Sequence, residues 1–198
     1  MDELTRFTQF IRNIQMPEQR LLIAIDGRCA AGKTTLASRL QQEIGCNVFH
    51  MDDFFLRPEQ RTEERLHTPG GNVDHERFLS EVLLPLKSGA EWIEFRAFDC
   101  SSMRLKPPVR VSAGEINVIE GSYCCHPALW KYYDLHVFMD VSADEQQRRI
   151  IDRNGADGWK VFSGRWIPLE EAYFQAYQIK ERCEYGVSQK ESGSIKDA

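Results

Sequence analysis

Residues 27–35 read Gly27-Arg28-Cys29-Ala30-Ala31-Gly32-Lys33-Thr34-Thr35 and fit the pattern G-x-x-x-x-G-K-[ST]. A loop of this kind turns backbone N–H groups toward phosphate oxygens. Its lysine reaches the β- and γ-phosphates, and its first hydroxyl residue ligates Mg²⁺. The pattern is short, so its neighbours decide whether it counts. Leu21-Leu22-Ile23-Ala24-Ile25 is an unbroken apolar run ending in Asp26, which predicts a strand buried on both faces. Leu36, Leu40 and Ile44 follow at four-residue spacing, with Gly45 placed to end a helix. Strand, glycine loop and helix therefore occur in the order a phosphate site requires.

The chain has 198 residues, which predicts a single domain over 1–198 that buries about 70 % of the surface its unfolded form exposes. A net charge of −5 weighs against nucleic-acid or membrane-surface binding through bulk charge. The longest apolar runs are strand-length, well below the ~20 residues of a membrane span. Met1-Asp2-Glu3 opens no apolar leader. The six cysteines (29, 46, 100, 124, 125 and 183) form no C-x-x-C pair, and this predicts reduced thiols and a cytoplasmic protein. Cys29, inside the loop, reads either as an inert small side chain or as an alkylation site. Nothing in the sequence sets an oligomeric state, and a homo-oligomer is compatible with it.

Along the chain, Leu4, Phe7, Ile11 and Ile14 predict an amphipathic helix in the N-terminal segment 1–16, ended by Pro17. A second strand, Asn47 to Met51, runs into Asp52-Asp53-Phe54-Phe55. Ligands of open α/β sheets bind at the carboxyl ends of strands, so Asp52 is a candidate base; a solvated turn is the plainer alternative. Phe54 and Phe55 are read as core or as pocket lining. Residues 56–73 read as a polar connection. Asp74 then caps a helix that buries Phe78, Leu79, Val82 and Leu83. Alternation over 93–98 and 109–111, bent at Pro107-Pro108, predicts two half-exposed strands over the acceptor side. Ile116–Gly121 is a further strand ending near Glu120, and Leu135–Asp140 is another. Ser142 and Glu145 suggest a capping box for a helix bearing Arg148, Arg149 and Arg153. The glycine-rich stretch 154–167, with Arg165, reads as a lid. Pro168, Leu169, Tyr173, Ala176 and Tyr177 mark a last helix, and 186–198 reads as a flexible tail.

Taken in order, these segments resemble the uridine kinase and phosphoribulokinase-like family of phosphate-loop kinases. The likeness rests on loop 27–35, Asp52-Asp53-Phe54-Phe55, Asn72-Val73-Asp74-His75, Val118-Ile119-Glu120-Gly121, and Asp134–Asp140 with Arg148-Arg149. It covers roughly residues 20–155. The resemblance implies an α/β fold of the P-loop nucleoside triphosphate hydrolase type, with a five-stranded parallel sheet, helices on both faces and a small lid. It implies ATP and Mg²⁺ as cofactors and a small-molecule hydroxyl as acceptor, of nucleoside type. Gly27, Arg28, Cys29, Ala30, Ala31, Gly32, Lys33, Thr34 and Thr35 would hold the nucleotide, and Thr34 and Glu120 the metal. Asp52, Lys33 and Arg149 would be catalytic, with Asp52 needing only an ordinary carboxylate pKa near 4. Asp52, Phe55, Asp74, Arg153 and Arg165 would meet the acceptor. Phe55 stands where the nucleoside kinases carry a tyrosine. Phe98-Asp99-Cys100-Ser101-Ser102 lacks their histidine, and the lid arginines thin to 148, 149, 153 and 165. Pantothenate, nicotinamide riboside and sugar phosphates therefore stay open as acceptors, as does a P-loop ATPase. A GTPase is disfavoured, since no [NT]-K-x-D guanine reader occurs.

Overall fold

The computed structural model describes residues 3–14 and 20–188. In chain order its strands are β1 (Leu21–Gly27), β2 (Asn47–His50), β3 (Trp92–Phe95), β4 (Phe98–Asp99), β5 (Arg104–Leu105), β6 (Val109–Ser112), β7 (Ile116–Glu120), β8 (Leu135–Asp140) and β9 (Tyr185–Ser188). Five of them form one parallel sheet in the order β2-β7-β1-β8-β9. β1 sits at its centre, with Ile23 opposite Val118 on one side and Leu135 on the other. All seven β1 residues are buried, as an unbroken apolar run between two layers requires.

Strand alternation divides the interior in two. Ile23 and Ile25 face Phe7 and Ile11 of the helix Glu3–Asn13 and Leu36 and Leu40 of the helix Lys33–Ile44. Leu22 and Ala24 face the opposite layer, which holds Phe54, Phe78, Val82, Tyr173 and Phe174. Gly45 closes the loop's helix in the left-handed conformation, φ 72°, with its N–H on Gln41 O. β3 and β6 pair antiparallel as predicted, and β4 and β5 form a second small ribbon, but no residue of β3 or β6 lines the nucleotide cleft.

Several expectations need correcting. The connection 56–73 is not bare loop, since it holds a 3₁₀ turn, Pro58–Gln60, and a short helix, Glu63–His67, capped by Thr62. The helix that Asp74 caps passes through a π turn, Leu79–Leu83, before Pro85, whose ring excludes a regular turn there. The 154–167 lid is helical. The helix Ala143–Val161 kinks at Gly155 (φ 72°), then continues by a π turn, Phe162–Trp166, into the helix Ile167–Tyr177. Of the three glycines in 154–167, only Gly155 breaks the helix. Of the predicted tail, Gly186–Ser188 belong to edge strand β9, held by buried Val187. The rest of it, residues 189–198, and Pro17 lie outside the described residues, as does the side chain of Leu4. Ser142 caps its helix through Glu145 N, but the Glu145 side chain binds arginines instead of closing a box. No described helix is long and apolar enough to cross a membrane.

One buried group gives the fold a pH dependence. His126 caps the helix Pro127–Trp130 through Ala128 N and stacks on His75, with ring centroids 4.0 Å apart. Burial, helped by His75 and Arg65, pushes its pKa down to about 3. The unfolded chain therefore binds a proton between that value and about 6.5 that the folded chain does not, and stability falls as pH drops through this window. From pH 7 to pH 5 His126 by itself contributes a loss on the order of 1–2 kcal/mol, opposed in the same window by buried Asp26, whose raised pKa makes the folded chain the better proton binder at that group. His126→Asn keeps a cap acceptor and removes the titration. Its melting temperature at pH 5, taken relative to pH 7, is expected to lie above the parent's, and an unaltered difference between the two pH values would take the titration away from His126.

Candidate active site

The loop leaves β1 over a buried carboxylate. Asp26 Oδ1 accepts from Gly27 N (2.7 Å) and Tyr123 N (3.2 Å), and Oδ2 from Cys125 N and the Tyr173 hydroxyl (both 2.9 Å). Burial pushes its pKa up to about 6 against the pull of these donors and Lys33. Asp26 thus ties loop, β7 turn and last long helix together. Lys33 Nζ lies on the loop's floor, donating to Gly27 O (2.7 Å) and Arg28 O (3.0 Å), with Ser122 Oγ at 3.4 Å. Ala30 adopts φ 60°, a left-handed turn uncommon for a residue with a Cβ. The N–H groups of Lys33, Thr34 and Thr35 open a helix and have no acceptor in a preceding turn, so they offer an anion site.

Above the loop is a cleft of about 620 Å³, within the range of small-ligand sites. Its walls include Lys33, Thr34, Asp52, Glu120, Arg149 and Arg153. Asp52 lies in the 3₁₀ turn Met51–Phe54 that follows β2, and its residue is exposed at the cleft wall. Its pKa is raised above the ordinary value, first by the surrounding protein and then, against Lys33, by Glu120 and Glu170. Glu120, at the end of β7, receives the Thr34 hydroxyl at 3.2 Å on Oε1 and holds His50 Nδ1 at 2.5 Å. That bond raises the His50 pKa, opposed by burial. Thr34 and Glu120 present adjoining hard oxygen donors, the chemistry Mg²⁺ selects, and so fit that ion.

The remaining predicted residues divide. Cys29, Ala30, Gly32, Lys33, Thr34 and Thr35 line the cleft, whereas Gly27, Arg28 and Ala31 do not. The Arg28 side chain points away, to Asp140 (3.1 Å) and Glu171 (3.2 Å). Arg149 binds Glu145 and donates to Ala30 O (3.0 Å), clamping its helix to the loop. Arg148 pairs outward with Glu145 and Asp152. Phe54 is core, edge-on to Phe78, whereas Phe55 lines the cleft near Trp166. Asp74 is buried as a cap, accepting from Arg77 N and pairing with Arg77 (3.3 Å) and Arg57 (3.6 Å), and it does not line the cleft. Arg165 lines a neighbouring cavity instead. The Cys29 thiol, pushed up to about 12 by burial and then by Glu170, takes the inert reading.

Sequence reasoning missed Glu170. From the first turn of the helix Ile167–Tyr177 it reaches into the cleft, where Oε2 accepts from Cys29 N (2.9 Å) and Oε1 from Ser122 Oγ (2.5 Å). In the sequence it looks like an acidic residue favouring a helix start, and no local pattern marks it. His50 was hidden similarly, as the end of a strand.

A parallel sheet with a phosphate loop after its central strand is the P-loop nucleoside triphosphate hydrolase fold, which solved kinases share. In sequence the chain resembles uridine kinase-like proteins at a distance. It is 27 % identical over 147 residues to uridine kinase-like protein 3 of Arabidopsis thaliana, a match covering 69 % of this chain and 31 % of that protein. The chain thus matches about a third of the length of such curated relatives. A solved structure described as a possible uridine kinase from Bacillus stearothermophilus superposes with a TM-score of 0.71 at 21 % identity, covering 93 % of this chain and 96 % of that one. D-glycerate 3-kinase from Cryptococcus neoformans gives 0.65 at 16 % identity, covering 93 % of each chain. No family model matches the chain.

Proposed function

We propose that this protein is an ATP-dependent kinase that phosphorylates a hydroxyl group of a small molecule. The observation that carries the reading is the single cleft joining the phosphate loop to Asp52 across the sheet's carboxyl edge. Phosphoryl transfer asks a protein chiefly for positioning and charge neutralisation. Loop amides and Lys33 hold the donor's phosphates, and Arg149 and Arg153 supply positive charge from the helix above. Asp52 orients the acceptor hydroxyl and takes its proton. Thr34 and Glu120 would hold Mg²⁺, which when bound neutralises phosphate charge. The names of the relatives support a nucleoside-type acceptor, while a glycerate kinase shares the fold. The free cysteines suit a reducing compartment such as the cytoplasm.

The test is ADP release from Mg²⁺-ATP with nucleosides, hydroxy acids and sugar phosphates. Acceptor-dependent release is expected, lost in Lys33→Ala together with most nucleotide affinity. Rapid release indifferent to every acceptor would instead make this an ATPase, and a fully active Lys33→Ala would contradict the loop's role.

A further inference from the structure

Beside the nucleotide cleft lies a second cavity of about 530 Å³, and the two share Phe55, Asn72 and Trp166 as walls. Leu56, Leu66, Met103 and Leu169 make much of the second cavity's lining apolar. Its charged lining is of one sign. Arg61 and Arg165 contribute guanidinium groups, His67 adds an imidazole, and no acidic residue lines it. The nucleotide cleft, by contrast, sets Asp52, Glu120 and Glu170 among its cations. Neither arginine is engaged in an ion pair among the described residues. Arg61 donates Nε to Leu56 O (3.0 Å) and lies over the Phe98 ring, and Arg165 lies over Trp166 at 4.6 Å. Of the other arginines near the site, Arg149 pairs with Glu145 and Arg77 with Asp74 and Glu81, whereas Arg153 of the nucleotide cleft is also without an ion pair among the described residues.

The wall between the cavities holds a second, independent mark. Asn72 is only 9 % exposed, and its Nδ2 has no hydrogen-bond partner. The hydroxyl of Tyr123, a wall of the nucleotide cleft, is likewise buried without a hydrogen bond of good geometry, and Asn72 is its polar neighbour, so the pair together keeps bonding capacity for a ligand. Buried donors left unmet cost about 1–3 kcal/mol each, so such groups call for a ligand or water to satisfy them. An amide donor at the passage between cavities suits an acceptor oxygen on a molecule that spans both.

From this arrangement we propose that the acceptor is an anionic hydroxy compound. Its hydroxyl faces Asp52, its polar middle meets Asn72, its apolar body lies along Phe55 and Trp166, and its carboxylate or phosphate is held between Arg61 and Arg165. The inference rests on the kinase reading for the direction of the hydroxyl but not for the charge. A neutral nucleoside leaves both guanidinium groups without a counter-charge, and so fits this cavity less well. Guanidinium–carboxylate and guanidinium–phosphate pairs share the same charge-assisted geometry, so either anion satisfies the site.

Binding can be measured apart from turnover. Calorimetry with Mg²⁺-ADP present would compare 4-(hydroxymethyl)benzoate with its amide, ribose 5-phosphate with ribose, and uridine. In at least one pair the anion is expected to bind about tenfold or more tightly than its neutral partner, with uridine weaker than that anion. Arg61→Gln/Arg165→Gln should abolish the preference while leaving ADP affinity unchanged. Asn72→Leu should weaken anion and neutral partner alike. Equal binding within both pairs, tighter binding of uridine, no binding of either anion, or a preference that survives the double replacement would each overturn the proposal. An anion preference without phosphorylation of any probe would uphold the charge assignment and count against the kinase reading, which separates the two failures.

Discussion

Replacing Asp52 by asparagine is expected to lower acceptor phosphorylation by ~10²-fold or more while leaving ATP affinity nearly intact. The loss is expected on turnover because Asp52 stands after β2 and not in the phosphate loop, and in the proposed reading it meets the acceptor's hydroxyl and not the nucleotide. Asparagine keeps the size and can still orient a hydroxyl, but it cannot take a proton at neutral pH. The pH profile adds a second signature. Asp52 acts only when ionised, and its pKa is raised by the surrounding protein and by the like charges of Glu120 and Glu170. Activity should therefore fall, as pH is lowered, at a higher pH than the value near 4 of an ordinary carboxylate. The residual activity of Asp52→Asn should lack that limb. Unchanged turnover would remove Asp52 from the base role. A limb that persists in the variant would move the titration to another group, of which His50, bonded to Glu120, is the nearest by chemistry.

The contrast between Asp52 and Glu170 shows what the sequence could carry. The loop, Asp52 and Glu120 each sit where a strand ends, and a strand end is a local event marked by an apolar run giving way to a polar residue. Their convergence follows from the parallel order of β2, β7 and β1, so knowing the strands nearly places the groups. Glu170 comes from a helix 141 positions beyond Cys29, and only the packing of Tyr173 on Asp26 brings it to the loop. No periodicity encodes such a contact. Asn72 and Tyr123 were equally silent, because being buried without a partner is a property of the folded surroundings and not of the residue. The stretch 154–167 was legible as glycine-rich but not in its secondary structure: Trp159, Phe162 and Trp166 lie in continuous helical segments, and Gly155 alone takes up the bend. Gly186–Ser188 looked like a polar tail because an edge strand needs only one buried side chain, here Val187, to be held in place.

Gly27→Ala should do the most damage to the loop for the least added volume. Gly27 pairs with Met139 across β1 and β8 and has φ 132°, a conformation that residues with a Cβ rarely adopt. A Cβ there would lie 2.1 Å from Met139 O and 2.7 Å from Met139 N. Both are backbone atoms of a central strand, so no side-chain rotation relieves the contact and β1 must separate from β8 at its last pair. Strain and overpacking each cost about 1–3 kcal/mol, which together put the loss at about 3 kcal/mol or more. For a domain of this size that lowers the melting temperature by about 6–12 °C. Nucleotide affinity should fall further than stability alone requires, because Gly27 O holds Lys33 Nζ and Gly27 N holds Asp26, so moving one residue displaces both. Gly45→Ala is the matched control. Its φ of 72° is also left-handed, but a Cβ there meets nothing within 4 Å, so the cost is only the ~1–2 kcal/mol of the backbone conformation. Thermal melts and ATP titrations on both variants distinguish the two causes. If Gly27→Ala melts and binds like Gly45→Ala, the close approach of β8 is not what fixes the loop.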